Sequence, residues 1–339
     1  MKILCICEPA SYQRPSADIP IFYQRLAADS RVASFHLPTS QVLQVPFAGE
    51  RPQVTVAPLT DSLDYKRFLQ LDAIATQPHL LESFDLVFCR TLKPFPEGYL
   101  KRLQQWETTV KFVNRPSSKL EQIHPSFLLQ VAQPYIPDTV VVETWQQALL
   151  FFERHRTIVA KRPNSCGGRG IFKIWYADGQ FQVDNLQTGV QQFSDFPQVM
   201  HYVRANAALP IQLMRYLPQV NAGDKRVIVV DGEIYGAFIR RSKGGYWVNN
   251  ISGDGECYAA EVGDLEREAI EYSVGQYRDR GLLTLGYDFL QDEDGNWRIS
   301  EINAGNIGGF ARLEALTGRP ILQQLMDWLI NFAQSARSR

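Results

Sequence analysis

The sequence predicts an α/β protein of more than one domain, and three observations carry that reading. Through the first 114 residues, short apolar runs alternate with amphipathic stretches, the pattern of strand and helix units. Further on, strand-like runs follow one another across tight turns, one of them the Gly-rich segment at residues 162–170. Residues 285–305 then read as a hairpin that carries three oxygen-bearing side chains. A length of 339 residues accommodates two or three domains with their own cores.

Residues 2–7, KILCIC, have the unbroken apolar character of a buried strand, and 19–28 have the amphipathic spacing of a helix. Strands are expected at 32–37, 85–89 and 110–114, and helices around 63–75 and 99–105, which closes an α/β domain at residue 114. Residues 43–58, with three prolines, read as a loop or an edge hairpin. At Asn114-Arg115-Pro116 the chain turns into a helix that Ser117 or Ser118 can cap, the expected border of a second domain over 115–205. There a β-branched run at 139–142 precedes Thr144-Trp145-Gln146-Gln147, a capping box for a helix over 145–154, and strands at 157–161 and 171–176 flank the Gly-rich segment. A third domain, 206–335, holds strands at 211–216, 225–230 and 234–239, the hairpin, and helices over 265–280 and 321–332.

In the hairpin, Asp294-Gly295 is the dipeptide of a two-residue type I′ turn. Pairing Glu293 with Asn296 and counting outward sets Asp288 opposite Glu301, with Asn303 on the same face. Directly opposed carboxylates repel, and a hard cation bound through oxygens relieves that repulsion, as Mg²⁺ does between carboxylates and phosphates. The alternative is a solvated hairpin whose acids never meet.

The Gly-rich segment, Arg162-Pro163-Asn164-Ser165-Cys166-Gly167-Gly168-Arg169-Gly170, lacks both the GK[ST] of a Walker loop and the GxGxxG of a dinucleotide fingerprint, and it joins two strands rather than opening a helix. It is either a tight turn that needs glycine for its backbone, or a mobile tip whose N–H groups cover phosphates beside the charge of Lys161. Cys166 has no sequence neighbour that would make it a catalytic thiol. Arg226, Arg240 and Arg241 stand at strand ends, either as solvated edge charges or as planar forks for carboxylate and phosphate oxygens.

Composition narrows the function. With 35 basic and 36 acidic residues the chain has no global pull towards nucleic acid or anionic membranes. Five scattered cysteines without a CxxC pair indicate neither a disulfide framework nor a zinc site, which suits a cytoplasmic protein, and the five histidines form no HExxH. No apolar run approaches the ~18 residues of a membrane helix, and MKILCIC is too short for a signal sequence.

Taken together, Asn114-Arg115-Pro116 with Lys119, AKRPNSCGGRGIF, YLPQVNAGDKRVIVVDGEI, the stretch from Arg240 to SGDG, and Asp288 with Glu301-Ile302-Asn303 resemble the ATP-grasp superfamily, and most closely its bacterial glutathione synthetase branch. The resemblance covers residue 114 onward, and it implies an ATP-grasp fold in which an N-terminal α/β domain precedes two α+β lobes that clasp a nucleotide. It further implies ATP and Mg²⁺, with Mn²⁺ as an alternative ion. Lys119 and Lys161 would hold ATP phosphates, Gly167, Gly168 and Gly170 would form a mobile lid, Leu217 would border the nucleotide and Asp224 would touch its ribose. Asp288, Glu301 and Asn303 would bind the metal. Arg226 and Arg240 would stabilise charge on the reacting carboxylate, and Asn250 would hold substrate or phosphate. The implied reaction passes the γ-phosphoryl group to a carboxylate and lets an amine displace phosphate, with γ-glutamylcysteine and glycine as the expected pair, in a homo-oligomer that takes small peptide or amino-acid substrates and neither nucleic acid nor membrane.

Two departures touch substrate. Val248 stands where glutathione synthetases commonly carry arginine, and Ala304-Gly305-Asn306-Ile307-Gly308-Gly309 replaces their hydroxyl residue and proline, somewhat like the ligases that add glutamate to protein termini. Another peptide or amino-acid ligase is therefore an alternative substrate reading. A nucleotide-binding regulator without chemistry is an alternative of another class, opposed by the complete set of phosphate and metal residues.

Overall fold

The computed structural model describes residues 1–45, 51–205, 207, 210–249 and 255–335, and in them the strands form three sheets that follow one another along the chain. The first contains β1 (Lys2–Cys7), β2 (Ala33–Pro38), β3 (Gln53–Pro58), β4 (Gln77–Leu80), β5 (Leu86–Cys89) and β6 (Phe112–Val113), in the order β4-β3-β2-β1-β5-β6. β1 is parallel to β2 and β5, and the helix Asp18–Ala28 makes the crossover between β1 and β2, so both faces of β1 are buried as its apolar sequence requires. β3 is antiparallel to β2 and β4; the 43–58 segment thus ends in a strand, and residues 46–50 lie outside the described residues. The helix expected around 63–75 is shorter, running Tyr65–Leu69 behind an Asp64 cap and giving way to a 3₁₀ turn at Leu71–Ala73.

The second sheet contains β7 (Thr139–Val142), β8 (Ile158–Lys161), β9 (Ile171–Ala177), β10 (Gln180–Asn185), β11 (Gly189–Phe193) and β12 (Ile211–Arg215), in the order β11-β10-β9-β8-β12-β7, antiparallel at every pair. Because β12 pairs with both β7 and β8, this lobe runs through Arg215 rather than ending at residue 205. The Thr144 capping box forms, and it starts the helix Trp145–His155. Phe151 and Phe152 of that helix and Phe196, Val199 and Val203 of the helix Phe196–Arg204 bury against Ala160, Ile174, Val183 and Leu213 of the sheet.

The third sheet contains β13 (Asp224–Val230), β14 (Glu233–Arg241), β15 (Glu256–Ala260), β16 (Thr284–Gln291) and β17 (Trp297–Ala304), in the order β15-β14-β13-β16-β17. Alternation along β13 splits the core. Val227 and Val229 face the helix Asp264–Asp279, whereas Ile228 and Val230 join Phe310, Leu313, Ile321 and Leu325 in a core that also contains Ile3, Cys5 and Phe22 of the first domain.

The hairpin of β16 and β17 puts Asp288 opposite Glu301, but not through a two-residue turn. Asp292 reorganises the turn: its Oδ1 accepts from the backbone N–H groups of Asp294 and Asn296 at 3.1 and 2.9 Å, and Oδ2 accepts from Arg298 at 2.8 Å. This side-chain competitor lengthens the loop, so β16 ends at Gln291 opposite Trp297. A bulge then restores the register, since Phe289 pairs with Ile299 while Asp288 pairs with Glu301, leaving Ser300 as the extra residue.

Polar contacts weld the first domain to the third sheet. Asn114 accepts from the N–H groups of Leu283 and Thr284 at 2.6 and 2.9 Å and donates to the Thr284 carbonyl at 3.0 Å. Asp18 caps the helix Phe310–Thr317 from outside, with Oδ2 accepting from Phe310 at 2.9 Å and Oδ1 from Ala311 at 3.0 Å. The buried Arg90 donates to the Ile307 carbonyl at 2.8 Å.

Candidate active site

Two cavities meet between the second and third sheets. The smaller is a slot of ≈ 590 Å³, counting the solvent in its mouth, with apolar walls from Val159, Ile171, Met214, Leu217 and Leu290. Lys161, Arg215, Asp224, Asp288 and Glu301 are its charged residues. An apolar slot with a few convergent charges is the usual form of a small-molecule site. The larger cavity, ≈ 1950 Å³ on the same measure, lies beneath the Gly-rich loop and is bounded by Arg226, Arg240 and Asn303 and by residues 306–309. Lys161 and Glu301 line both.

The wall that carries Asp224 and Asp288 is a charge network. β13 lies between β14 and β16, so Arg226, facing Asp288 across β16, and Asp224, facing Arg240 across β14, come together on one sheet face. Arg226 donates from Nε and Nη2 to the two oxygens of Asp288 at 2.5 and 2.8 Å. Nη2 of Arg240 donates to Oδ1 of Asp224 at 2.6 Å and to Oδ1 of Asp288 at 2.8 Å. Nδ2 of Asn303 donates to Oδ2 of Asp288 at 3.1 Å. Burial alone would raise the Asp288 carboxyl, but the charges of Arg226 and Arg240 hold it below its ordinary value. At Asp224 burial prevails over Arg240, which two carboxylates share, and Asp288 repels; the group is pushed up to about 6. Nε of Arg240 is buried and has no hydrogen-bond partner among the described residues.

Lys161, the last residue of β8, donates to the Ser300 carbonyl in the bulge at 2.6 Å. Burial depresses its amine, against the opposing pull of Glu301, Asp288 and Asp224. The Glu301 carboxylate takes no hydrogen bond or ion pair from the described residues. Lys119 is buried elsewhere: it lines neither cavity but a separate one of ≈ 340 Å³ with Thr91, Tyr99 and Gly305, where it donates to Gln122. Arg241 faces away, exposed and donating to the Ala222 carbonyl at 3.1 Å. Asn250 lies outside the described residues.

The Gly-rich loop is shut down on the first domain. Asn164 accepts from the Phe95 N–H at 2.8 Å and donates to the Phe95 carbonyl at 3.3 Å, and Sγ of Cys166 donates to the Lys93 carbonyl at 2.8 Å. Gly167 and Gly168 sit at φ of 63° and 77°, and a Cβ on Gly170 would stand 2.5 Å from Cβ of Ser165, so the shape of the loop requires glycine. A second closure was not legible in the sequence. Asp184 on β10 accepts from Trp247 Nε1 at 2.6 Å and from Tyr246 Oη at 3.2 Å, tying the segment ahead of Val248 to the other lobe across the slot. An aspartate within an otherwise ordinary strand was the only available signal.

A family model described as the ATP-grasp domain of prokaryotic glutathione synthetase matches residues 127–318, more than half of the chain. The chain belongs to that ATP-grasp family. Its relatives include the glutathione synthetase of Parasynechococcus marenigrum, 24% identical over 97% of this chain and 99% of the relative. Among solved structures, D-cycloserine synthetase DcsG is similar with a TM-score of 0.64 at 11% identity, covering 98% of this chain and 100% of that one. The ATP-grasp ligase PsnB, complexed with minimal precursor, Mg and ADP, is similar with a TM-score of 0.55 at 16% identity, covering 98% of each chain. These two likenesses show the fold. ATP-grasp ligases use ATP with Mg²⁺, and the present donor set suits that ion: Glu301 and Asp288 offer carboxylates and Asn303 an amide oxygen, all hard ligands. Among the described residues no three His, Cys, Asp or Glu side chains converge.

Proposed function

We propose that this ATP-grasp ligase is a carboxylate-amine ligase that forms an amide through an acyl phosphate, with γ-glutamylcysteine and glycine as its substrates. The observation that carries the reading is Arg240. Its Nη2 is fixed between Asp224 and Asp288, its Nε is buried with no hydrogen-bond partner among the described residues, and the residue borders the larger cavity, so the guanidinium keeps donor capacity for an anionic oxygen. In this reading the slot takes the nucleotide against Leu217, with Asp224 near the ribose and Lys161 near the phosphates, and Asp288, Glu301 and Asn303 hold Mg²⁺. A divalent ion held there would supply neutralisation of phosphate charge during phosphoryl transfer. Arg226 and Arg240 orient the carboxylate and then stabilise the oxyanion formed when the amine attacks. Gly167, Gly168 and Gly170 keep water from the acyl phosphate. Asn250 remains a candidate to hold substrate or phosphate, and Lys119 acts on the phosphates only if it leaves its present cavity.

A second substrate reading has an observation behind it. Asn306 to Gly309, which stand in place of the hydroxyl residue and proline of the glutathione synthetases, line the larger cavity beside Arg226 and Arg240. That different wall suits a ligase acting on a longer peptide. Mass spectrometry of products separates the readings: protein, ATP and Mg²⁺ are incubated with γ-glutamylcysteine and glycine, and in parallel with peptide acids and a panel of amino acids. Glutathione with matching ADP is expected. Amide only from a peptide acid would replace the substrate assignment, and ADP release without any amide from any pair would sink ligation.

A further inference from the structure

The carboxylate of Asp288 is fully used. Oδ1 accepts from Arg226 Nε and Arg240 Nη2, and Oδ2 accepts from Arg226 Nη2 and Asn303 Nδ2. An ionised carboxylate offers about four lone-pair sites, so a cation that takes one must take it from a donor in place. The neighbours differ. Glu301 is free of such bonds among the described residues, and Asn303 spends its amide N–H on Asp288 while keeping its oxygen. The arginines are also tethered elsewhere: Arg226 donates from Nη1 to the Gly308 carbonyl at 3.2 Å, and Arg240 keeps Asp224. Each guanidinium can release Asp288 without leaving the wall of the larger cavity.

We infer that a divalent cation competes with Arg226 and Arg240 for Asp288, so that metal binding hands guanidinium N–H groups over to the acid. The inference rests on the metal site of the proposed function and adds an order to it. A substrate carboxylate that draws the arginines from Asp288 makes the metal bind more tightly, and by reciprocity the metal tightens the acid by the same factor. Before the metal arrives, Nε and Nη2 of Arg226 and one N–H of Arg240 Nη2 are spent on Asp288; afterwards those N–H groups are released towards the acid, while Arg240 stays paired with Asp224. The acid is thus gripped when the nucleotide's metal is in place, which limits acid binding in the absence of a phosphoryl donor.

The test measures metal affinity rather than turnover. Mn²⁺ is titrated into the protein with saturating ADP, and free Mn²⁺ is followed by electron paramagnetic resonance. Arg240→Met is expected to bind Mn²⁺ about tenfold more tightly than the wild type. Arg312→Met is the charge control, because Arg312 lines the same cavity and its hydrogen bond goes to the thiol of Cys257 at 3.1 Å, and it should change affinity no more than about twofold. Adding Asp288→Asn to Arg240→Met should abolish the gain relative to Asp288→Asn alone. Equal tightening in Arg240→Met and Arg312→Met would reduce the effect to the general field, and a gain that persists without the Asp288 charge would place the competition elsewhere; either result overturns the inference. Should Arg240→Met not fold, Arg226→Lys carries the same test, since it keeps the charge and loses the fork: tighter Mn²⁺ supports competition, and unchanged or weaker Mn²⁺ overturns it. A wild type that binds no Mn²⁺ with ADP overturns the metal-site reading as well, whereas binding that neither arginine variant tightens overturns only the competition.

Discussion

Arg240 and Arg241 are neighbours on β14 that point opposite ways, one into the network of Asp224 and Asp288 and the other to solvent and the Ala222 carbonyl. Arg240→Lys keeps the charge and loses the planar fork, so the barrier to ligation should rise by ~2–4 kcal/mol, as for loss of an oxyanion donor, while ATP binding is not weakened. Arg241→Lys should be nearly silent, and equal losses in the two variants under steady-state kinetics would refute the assignment. The spacing of these arginines in the sequence could not choose between edge charge and fork; the choice depends on β14 pairing with β13, a contact between strands that local pattern does not encode. Asp224 gives a pH test. Its folded value of about 6 exceeds the ordinary 3.8, so between those values the folded chain keeps a proton that the unfolded chain has released, and stability falls as pH rises through that window. Asp288, held below its ordinary value, acts in the opposite sense, and its contribution is lost as pH falls below the carboxylate range. Urea unfolding from about pH 4 to about pH 6 should therefore show the wild type losing up to ~1.4 kcal/mol per pH unit relative to Asp224→Asn. Parallel profiles would mean that Asp224 titrates alike in both states.

At the scale of elements, the opposition of Asp288 and Glu301 was legible although the turn was not. The expected two-residue turn and the observed longer loop with its Ser300 bulge give the same pairing at Asp288, because the bulge returns the one-residue shift that the loop introduces. Without that bulge the loop would set Asp288 opposite Ser300 and turn Glu301 to the other face. The Gly-rich loop was legible as a hairpin tip but not as a loop fastened to the first domain, since its partners at Lys93 and Phe95 lie far off in the sequence. Asn164→Ala removes two hydrogen bonds to Phe95, worth ~1 kcal/mol each, and tryptic cleavage after Arg169 should quicken by roughly an order of magnitude when opening limits access. ATP with Mg²⁺ should slow that cleavage in the wild type. A rate unaffected by the substitution would show that the loop is held by something else.

At the scale of the molecule, the alternation of strand and helix announced the first domain, and the run of antiparallel strands announced the rest. What the sequence could not display is how closely they are joined, because the joining residues, polar side chains among them, lie far apart along the chain. Asp18 is one of them. Asp18→Ala leaves the first turn of the helix Phe310–Thr317 uncapped and should cost ~1–2 kcal/mol in urea unfolding; an unchanged midpoint would mean that water serves the exposed N–H groups equally well. The shared core has a consequence for how the protein is made. Ile321, Leu322, Leu325 and Leu329 of the helix Ile321–Gln334 pack with Ile3, Cys5 and Phe22, so the part of the protein synthesised first lacks part of its own interior until the residues near 330 have left the ribosome. Its sheet can pair earlier, but one apolar face must wait through most of translation, and that interval is when the young chain most needs protection from sticking to its neighbours.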